Sequence, residues 1–140
     1  MTQATLIPAS AAHYPTPEEV AATKIQFLAD ARRNIAACRA KLDQIEAGRI
    51  PDCFVAMYPA FGGCLQYTED GAGRYQKPRH VTADNATTFA SGHQAARVCA
   101  LTYNGADEQP TPVQHSHALI VAIANYTRLV ALIESVDPNK

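Results

Sequence analysis

The chain has 140 residues, 47% of them hydrophobic, with 12 Lys and Arg against 13 Asp and Glu for a formal net charge of −1. A single domain of this size buries an adequate core without metal or disulfide support, and its ordinary apolar content excludes wholesale disorder. So neutral a chain has no global field to draw it onto duplex nucleic acid or an anionic membrane, and an anionic partner has to be met by a local patch.

The first residues, Met1 to Pro8, contain neither a basic region nor a long apolar run, so no secretory signal is expected. The most apolar stretch, Ala118 to Ile133, is interrupted by Asn125, Tyr126, Thr127 and Arg128, which argues against a membrane span. Cys38, Cys53, Cys64 and Cys99 are scattered without a C-x-x-C pair and read as reduced thiols buried as small hydrophobes. From these features a cytoplasmic protein with no membrane partner and no cofactor is expected.

Residues 1–15, with prolines at Pro8 and Pro15, read as an extended N-terminal arm, and 16–140 as one domain. Thr16-Pro17-Glu18-Glu19 is a capping signal: Thr accepts from first-turn amides, Pro suits the first helical position, and Glu bonds back to the cap. The helix it opens should run to Gly48, a natural residue just past a helix end. Ala21, Leu28, Ile35 and Leu42 recur every seven residues, with Ala31, Cys38 and Ile45 interleaved, giving an apolar seam. About thirty residues make roughly 45 Å of helix at 1.5 Å per residue. That exceeds the diameter of so small a domain, so the helix needs a partner from its own chain or a second subunit, and a homo-oligomer is expected.

Asp52 to Tyr58 and Cys64 to Thr68 read as strands joined by the Pro59–Gly63 turn. Asp70-Gly71-Ala72-Gly73 reads as a second turn, before a third edge strand within Arg74 to Thr82. Ser91, with Gln94 three residues later, should cap a short helix reaching about Tyr103. Thr111-Pro112-Val113-Gln114 reads as a third cap of this kind, opening a last helix to about Ser135. The predicted class is α+β: two long helices packed in two layers with a small antiparallel meander and one short helix.

Chemistry is sparse. His115 and His117 point about 200° apart on a helix and cannot share one ion, so they are expected as exposed first-turn side chains. No nucleophile elbow is present, and Glu69, Asp70 and Asp84 would have to converge from loops to act as an acid–base pair. Arg32 and Arg39 flank the seam and suit salt bridges across a helix interface. The glycine pairs at Gly62-Gly63 and Gly71–Gly73 lack a phosphate-loop ending. The richest stretch is Arg74-Tyr75-Gln76-Lys77-Pro78-Arg79-His80, with Phe89 nearby and the helix start at Ser91. Its cations can hold phosphate, its aromatics can stack on a base, and a helix N-terminus adds free amides. The competing reading is an edge strand charged to avoid pairing with another edge. On the first reading Arg74, Tyr75, Lys77, Arg79, Phe89 and Ser91 bind a small phosphate-bearing ligand.

The segment Tyr75 to Tyr103, a hairpin followed by Ala86-Thr87-Thr88-Phe89-Ala90-Ser91 and a helix with Ala95, Ala96 and Val98, resembles a unit of small phage-encoded accessory proteins. In size and in its mixture of long helices and small sheet, the chain looks like the Thoeris anti-defence class of cyclic-nucleotide sponges. That resemblance implies an oligomer binding a cyclic nucleotide or cyclic ADP-ribose-type signal without cleaving it, and it carries over no individual site residue. A protein-blocking inhibitor, such as an anti-CRISPR protein, and a small enzyme are the other readings.

Overall fold

The structure is a computed structural model that describes residues 14–68, 78–102 and 109–140. Helix α1 (Pro17–Glu46) is followed by strands β1 (Phe54–Met57), β2 (Cys64–Gln66) and β3 (Arg79–Val81) and a 3-10 turn, Ala83–Asn85. Then come α2 (Gly92–Leu101), β4 (Thr111–Gln114) and α3 (His115–Glu134). The class is the predicted α+β, with two long helices, one short helix and an antiparallel sheet. Of the expected N-terminal arm, only Tyr14 and Pro15 lie within the described residues.

Helix α1 begins as its sequence dictates. Glu19 N donates to Thr16 Oγ1 at 3.1 Å, and Thr16 N donates to Glu19 Oε1 at 2.8 Å. At the other end Gly48 takes φ +74°, the left-handed conformation that a non-glycine residue adopts only at a cost. Ser91 caps α2 by accepting from Gln94 N at 3.1 Å.

The sheet order is β3-β2-β1-β4, so the expected meander is present and carries a fourth strand on its far edge. This corrects the reading of Thr111 to Gln114 as a helix cap. Those residues pair antiparallel with β1 from Phe54↔Gln114 to Met57↔Thr111. Pro112 is tolerated there because β4 is an edge strand and one face of its backbone needs no partner. Helix α3 therefore starts at His115 and is capped from a distance. Asp52, just before β1, accepts from Ser116 N at 2.9 Å and from Ser116 Oγ at 2.5 Å. A carboxylate at that position also favours the positive end of the helix dipole.

Register between β1 and β2 is fixed at Met57↔Cys64. Closer to the start of β1, the segment 87–89 fills the space beside it. Phe54 and Phe89 exchange backbone hydrogen bonds of 2.8 and 2.7 Å, and Thr87 N donates to Leu65 O at 3.2 Å. Thr87 Oγ1 accepts from Tyr67 N at 2.7 Å.

Alternation along the strands divides the core in two. Val55, Met57 and Cys64 face α1 and α3, meeting Cys38, Leu42, Ala118, Leu119 and Ala122. Ala56, Tyr58, Leu65 and Tyr67 face the other way, with Phe89 and the α2 residues Ala95, Val98 and Cys99. The arrangement is three layers, not the two expected, because α2 has an apolar stripe of its own to bury. Each fully buried Val or Leu contributes about 1.5–3 kcal/mol.

His115 departs from expectation. It is buried, and its Nε2–H donates to Ala83 O at 2.7 Å, tying the start of α3 to the 3-10 turn. His117 is exposed. Burial pushes the His115 imidazole below its ordinary value near 6.5; Lys41 acts in the same direction, while the Ala83 bond, Asp52 and Asp84 oppose. The folded protein thus holds this ring neutral, whereas the unfolded chain takes up a proton below about pH 6.5. Its contribution is intact above that value and is lost as pH falls towards the depressed folded value. Denaturant midpoints measured at pH 7.5 and 5.5 should drop on acidification, and His115→Gln should flatten that drop. A second measurement checks the cap: Asp52→Ala should cost about 0.5–2 kcal/mol by chemical denaturation, the cost of losing an N-terminal cap.

Candidate functional site

The site begins with a tight turn. Between β1 and β2, Gly62 adopts φ +72°, and its α-carbon lies so close to α3 that an added Cβ would meet Asn125 Nδ2 at 2.8 Å and Val121 Cγ1 at 2.9 Å. Only glycine lets the turn approach the helix so closely. Gly62 N donates to Tyr58 O at 2.7 Å, closing the turn, and Asn125 Nδ2 donates to Phe61 O at 3.4 Å.

Beside this contact is a groove of about 440 Å³. Phe61 and Gly63 form one wall, Val81, Thr82 and Ala83 a second, and Ala122, Asn125, Tyr126, Arg128, Leu129 and Leu132 of α3 the third. Its lining is mainly apolar, with polar atoms at Thr82, Asn125, Tyr126 and Arg128. Phe61 is 57% exposed and stacks on Tyr58 with ring centroids 5.2 Å apart; Tyr58 stacks in turn on His80 at 5.6 Å. This aromatic series leads from the turn to the exposed edge strand β3. Arg128 bonds to Asn125 Oδ1 one turn earlier, which holds its guanidinium along the groove rim and leaves further N–H donors for a ligand.

The sequence-predicted site residues separate in space. Arg74, Tyr75 and Lys77 lie outside the described residues. Arg79 pairs with Gln66 across β3 and β2 and bonds to its side-chain oxygen. Arg79 and Val81 are two apart on one strand and share a face, so Arg79 lies on the groove side of the sheet. Phe89 does not. It is 2% exposed in the α2-side core, its ring edge-on to Tyr67 at 6.1 Å, and no face of it is open to stack on a base. Ser91 caps α2, which packs against that same far side. Of these three, Arg79 lies on the groove side of the sheet without lining the groove, and Phe89 and Ser91 lie on the opposite face. The residues that line the groove, among them Phe61, Asn125, Arg128, Leu129 and Leu132, were not among the expected ligand-binding residues. Their one signal was the polar tetrad Asn125–Arg128 inside an otherwise apolar helix.

Nearby thiols are buried and poorly ionised. Burial pushes Cys38 up to about 11 and Cys64 up to about 12, with Asp84 adding to both. On the far side of the sheet, Cys99 of α2 is pushed up by burial to about 11. Asp84 itself accepts from Thr82 Oγ1 at 2.6 Å and from Cys38 Sγ at 3.6 Å. Glu69 and Asp70 fall outside the described residues. Burial also raises the Tyr126 phenol, with Cys38, Asp84 and Cys64 acting in the same sense. Among the described residues no group of three His, Cys, Asp or Glu side chains is placed to hold a metal ion.

No family model, curated protein or solved structure matches the chain.

Gly62→Ala combines a strained φ with a clash against α3. It should lower stability by at least about 1 kcal/mol, read by thermal unfolding. Gly48→Ala, where an added Cβ meets nothing within 4 Å, should cost less.

Proposed function

We propose that the protein is a non-catalytic binding protein that holds a small, ring-bearing anionic molecule in the groove between α3 and the β1–β2 turn. The observation that carries this reading is the groove itself. Its volume of about 440 Å³ falls within the range of roughly 300–1,000 Å³ typical of small-molecule sites. It offers apolar walls, one exposed aromatic ring and a cationic rim. Phe61 would stack on the ligand's ring, Leu129 and Leu132 would cover its apolar edge, and Arg128 would pair with its phosphate or carboxylate, with Arg79 further along the same face.

Binding without turnover is favoured by the titratable groups near the groove. The Tyr126 phenol and the Cys38 and Cys64 thiols are all displaced away from their reactive, ionised forms. In its sharpest form the ligand is a cyclic nucleotide or cyclic ADP-ribose-type signal, sequestered in the cytoplasm as by the anti-defence class that the sequence resembles. Blocking of a partner protein, as by an anti-CRISPR inhibitor, is the second reading, favoured by the exposed Phe61 and Leu132.

The test is calorimetric titration with cyclic dinucleotides, cyclic trinucleotides and cyclic ADP-ribose isomers, followed by recovery of the ligand. A binder should return chemically unchanged. Arg128→Ala should weaken it about tenfold to a hundredfold, the size of one charge-assisted contact of roughly 1.5–3 kcal/mol. If nothing in the panel binds below about 100 μM, roughly −5.5 kcal/mol, the sequestration reading falls and the protein-blocking one takes its place. A ligand recovered altered would make the protein an enzyme.

A further inference from the structure

We infer that the Tyr126 hydroxyl selects ligands whose ring carries an uncharged hydrogen-bond acceptor, a ring nitrogen or a ring carbonyl, over benzenoid ligands of the same size and charge. This selection rests on the binding role proposed above and narrows the class of molecule that the groove takes.

Most polar atoms around the groove are already committed. Thr82 Oγ1 donates to Asp84 Oδ1 at 2.6 Å and accepts from Asn85 Nδ2 at 3.1 Å. Asn125 spends its amide nitrogen on Phe61 O and its oxygen on Arg128. Gly63 O accepts from Tyr58 N at 2.8 Å, Thr82 O from Asn85 N at 2.9 Å, and Ala83 O from the His115 ring at 2.7 Å. The Tyr126 hydroxyl differs: it lines the groove, and among the described residues it makes no hydrogen bond.

Its position follows from the helix period. Tyr126 lies four residues past Ala122 and seven past Leu119, so it continues the buried stripe of α3 and is itself half-buried. It packs on the core formed by Cys38, Cys64 and Ala83. Arg128 is exposed on the same helix. The phenol therefore belongs to the floor of the groove and the guanidinium to its rim. Burial, with Cys38, Asp84 and Cys64, raises the phenol, so it keeps its proton at neutral pH. The floor thus offers a neutral donor, and the Asp84 carboxylate behind it disfavours a second negative charge there. A ligand whose anion pairs with Arg128 turns its uncharged ring inward to Tyr126.

A benzenoid ring seated on Tyr126 shuts out water and leaves the hydroxyl unpaired. A ring acceptor in the same place takes its hydrogen bond. Sites with a buried polar group discriminate in this way against analogues that cannot pair with it.

Heteronuclear NMR titration of the full chain at neutral pH, with two kinds of probe of one shape, tests the selection. The probes are 1-naphthyl phosphate and the quinolinyl phosphates substituted at the equivalent carbons, which move one ring nitrogen around the same frame. The best quinolinyl isomer should bind about fivefold to a hundredfold tighter, the cost of covering an unpaired polar group. Tyr126→Phe should abolish the preference by weakening the quinolinyl compound, while naphthyl phosphate binds as well or better. Without ligand, the same variant should keep its thermal midpoint, because no hydrogen bond is lost. Equal affinity of the two kinds of probe, or a preference that survives in Tyr126→Phe, overturns the inference and leaves the groove's binding role standing. A midpoint lowered by several degrees overturns it too, since the hydroxyl then has a partner inside the protein. If neither kind of probe shifts the amides of Asn125, Tyr126 and Arg128, the binding role itself falls, and the selection with it.

Discussion

Four residues, Thr111 to Gln114, lie across the outer edge of β1, and from this pairing α3 takes its position. The strand ends where the helix begins, so its register sets both the starting point and the direction of α3 over the sheet. Three contacts hold the junction: His115 N donates to Cys53 O at 2.7 Å, Asp52 caps Ser116, and the His115 ring bonds to Ala83. Each joins segments far apart in sequence, and buried polar groups of this kind cost stability when left unpaired. The junction is thus specified by hydrogen bonds as well as by apolar burial.

From that placement follow the groove and the overhang of the two long helices past the sheet. With its first turns over the sheet, α3 passes the β1–β2 turn close enough to require Gly62 there. It then runs on beyond the sheet, since a helix of 20 residues is longer than strands of three or four can cover. Antiparallel to it, α1 overshoots for the same reason. A small sheet beneath long helices leaves apolar seams without a floor, and the groove lies where the floor ends.

Edge strand β3 shows how one charged segment can serve two ends. The charge on Arg79 discourages pairing with another sheet edge, and the same residue lies on the groove side, held by Gln66. The aromatic series from His80 through Tyr58 to Phe61 crosses from this edge to the turn. A buried Tyr58 thereby supports one face of the exposed Phe61 ring.

Local rules were legible in the sequence wherever the determining partners are close along the chain. The Thr16–Glu19 capping box, the Gly48 stop and the Ser91 cap depend on residues within a turn of one another, and all three are present. The α+β class was legible as well, because hydrophobic periods of 3.6 and 2 reflect local geometry. Thr111–Gln114 was not, since a Thr-Pro-x-Gln sequence suits a cap and an edge strand equally, and only the vacant edge of β1 decided between them. His115 had the same ambiguity: nothing near it in sequence announces the Ala83 carbonyl. The basic strand and Phe89 looked like one site because they are neighbours in sequence. Strand alternation and the 87–89 segment beside β1 put Arg79 and Phe89 on opposite faces of the sheet, a separation that exists only once distant strands have paired.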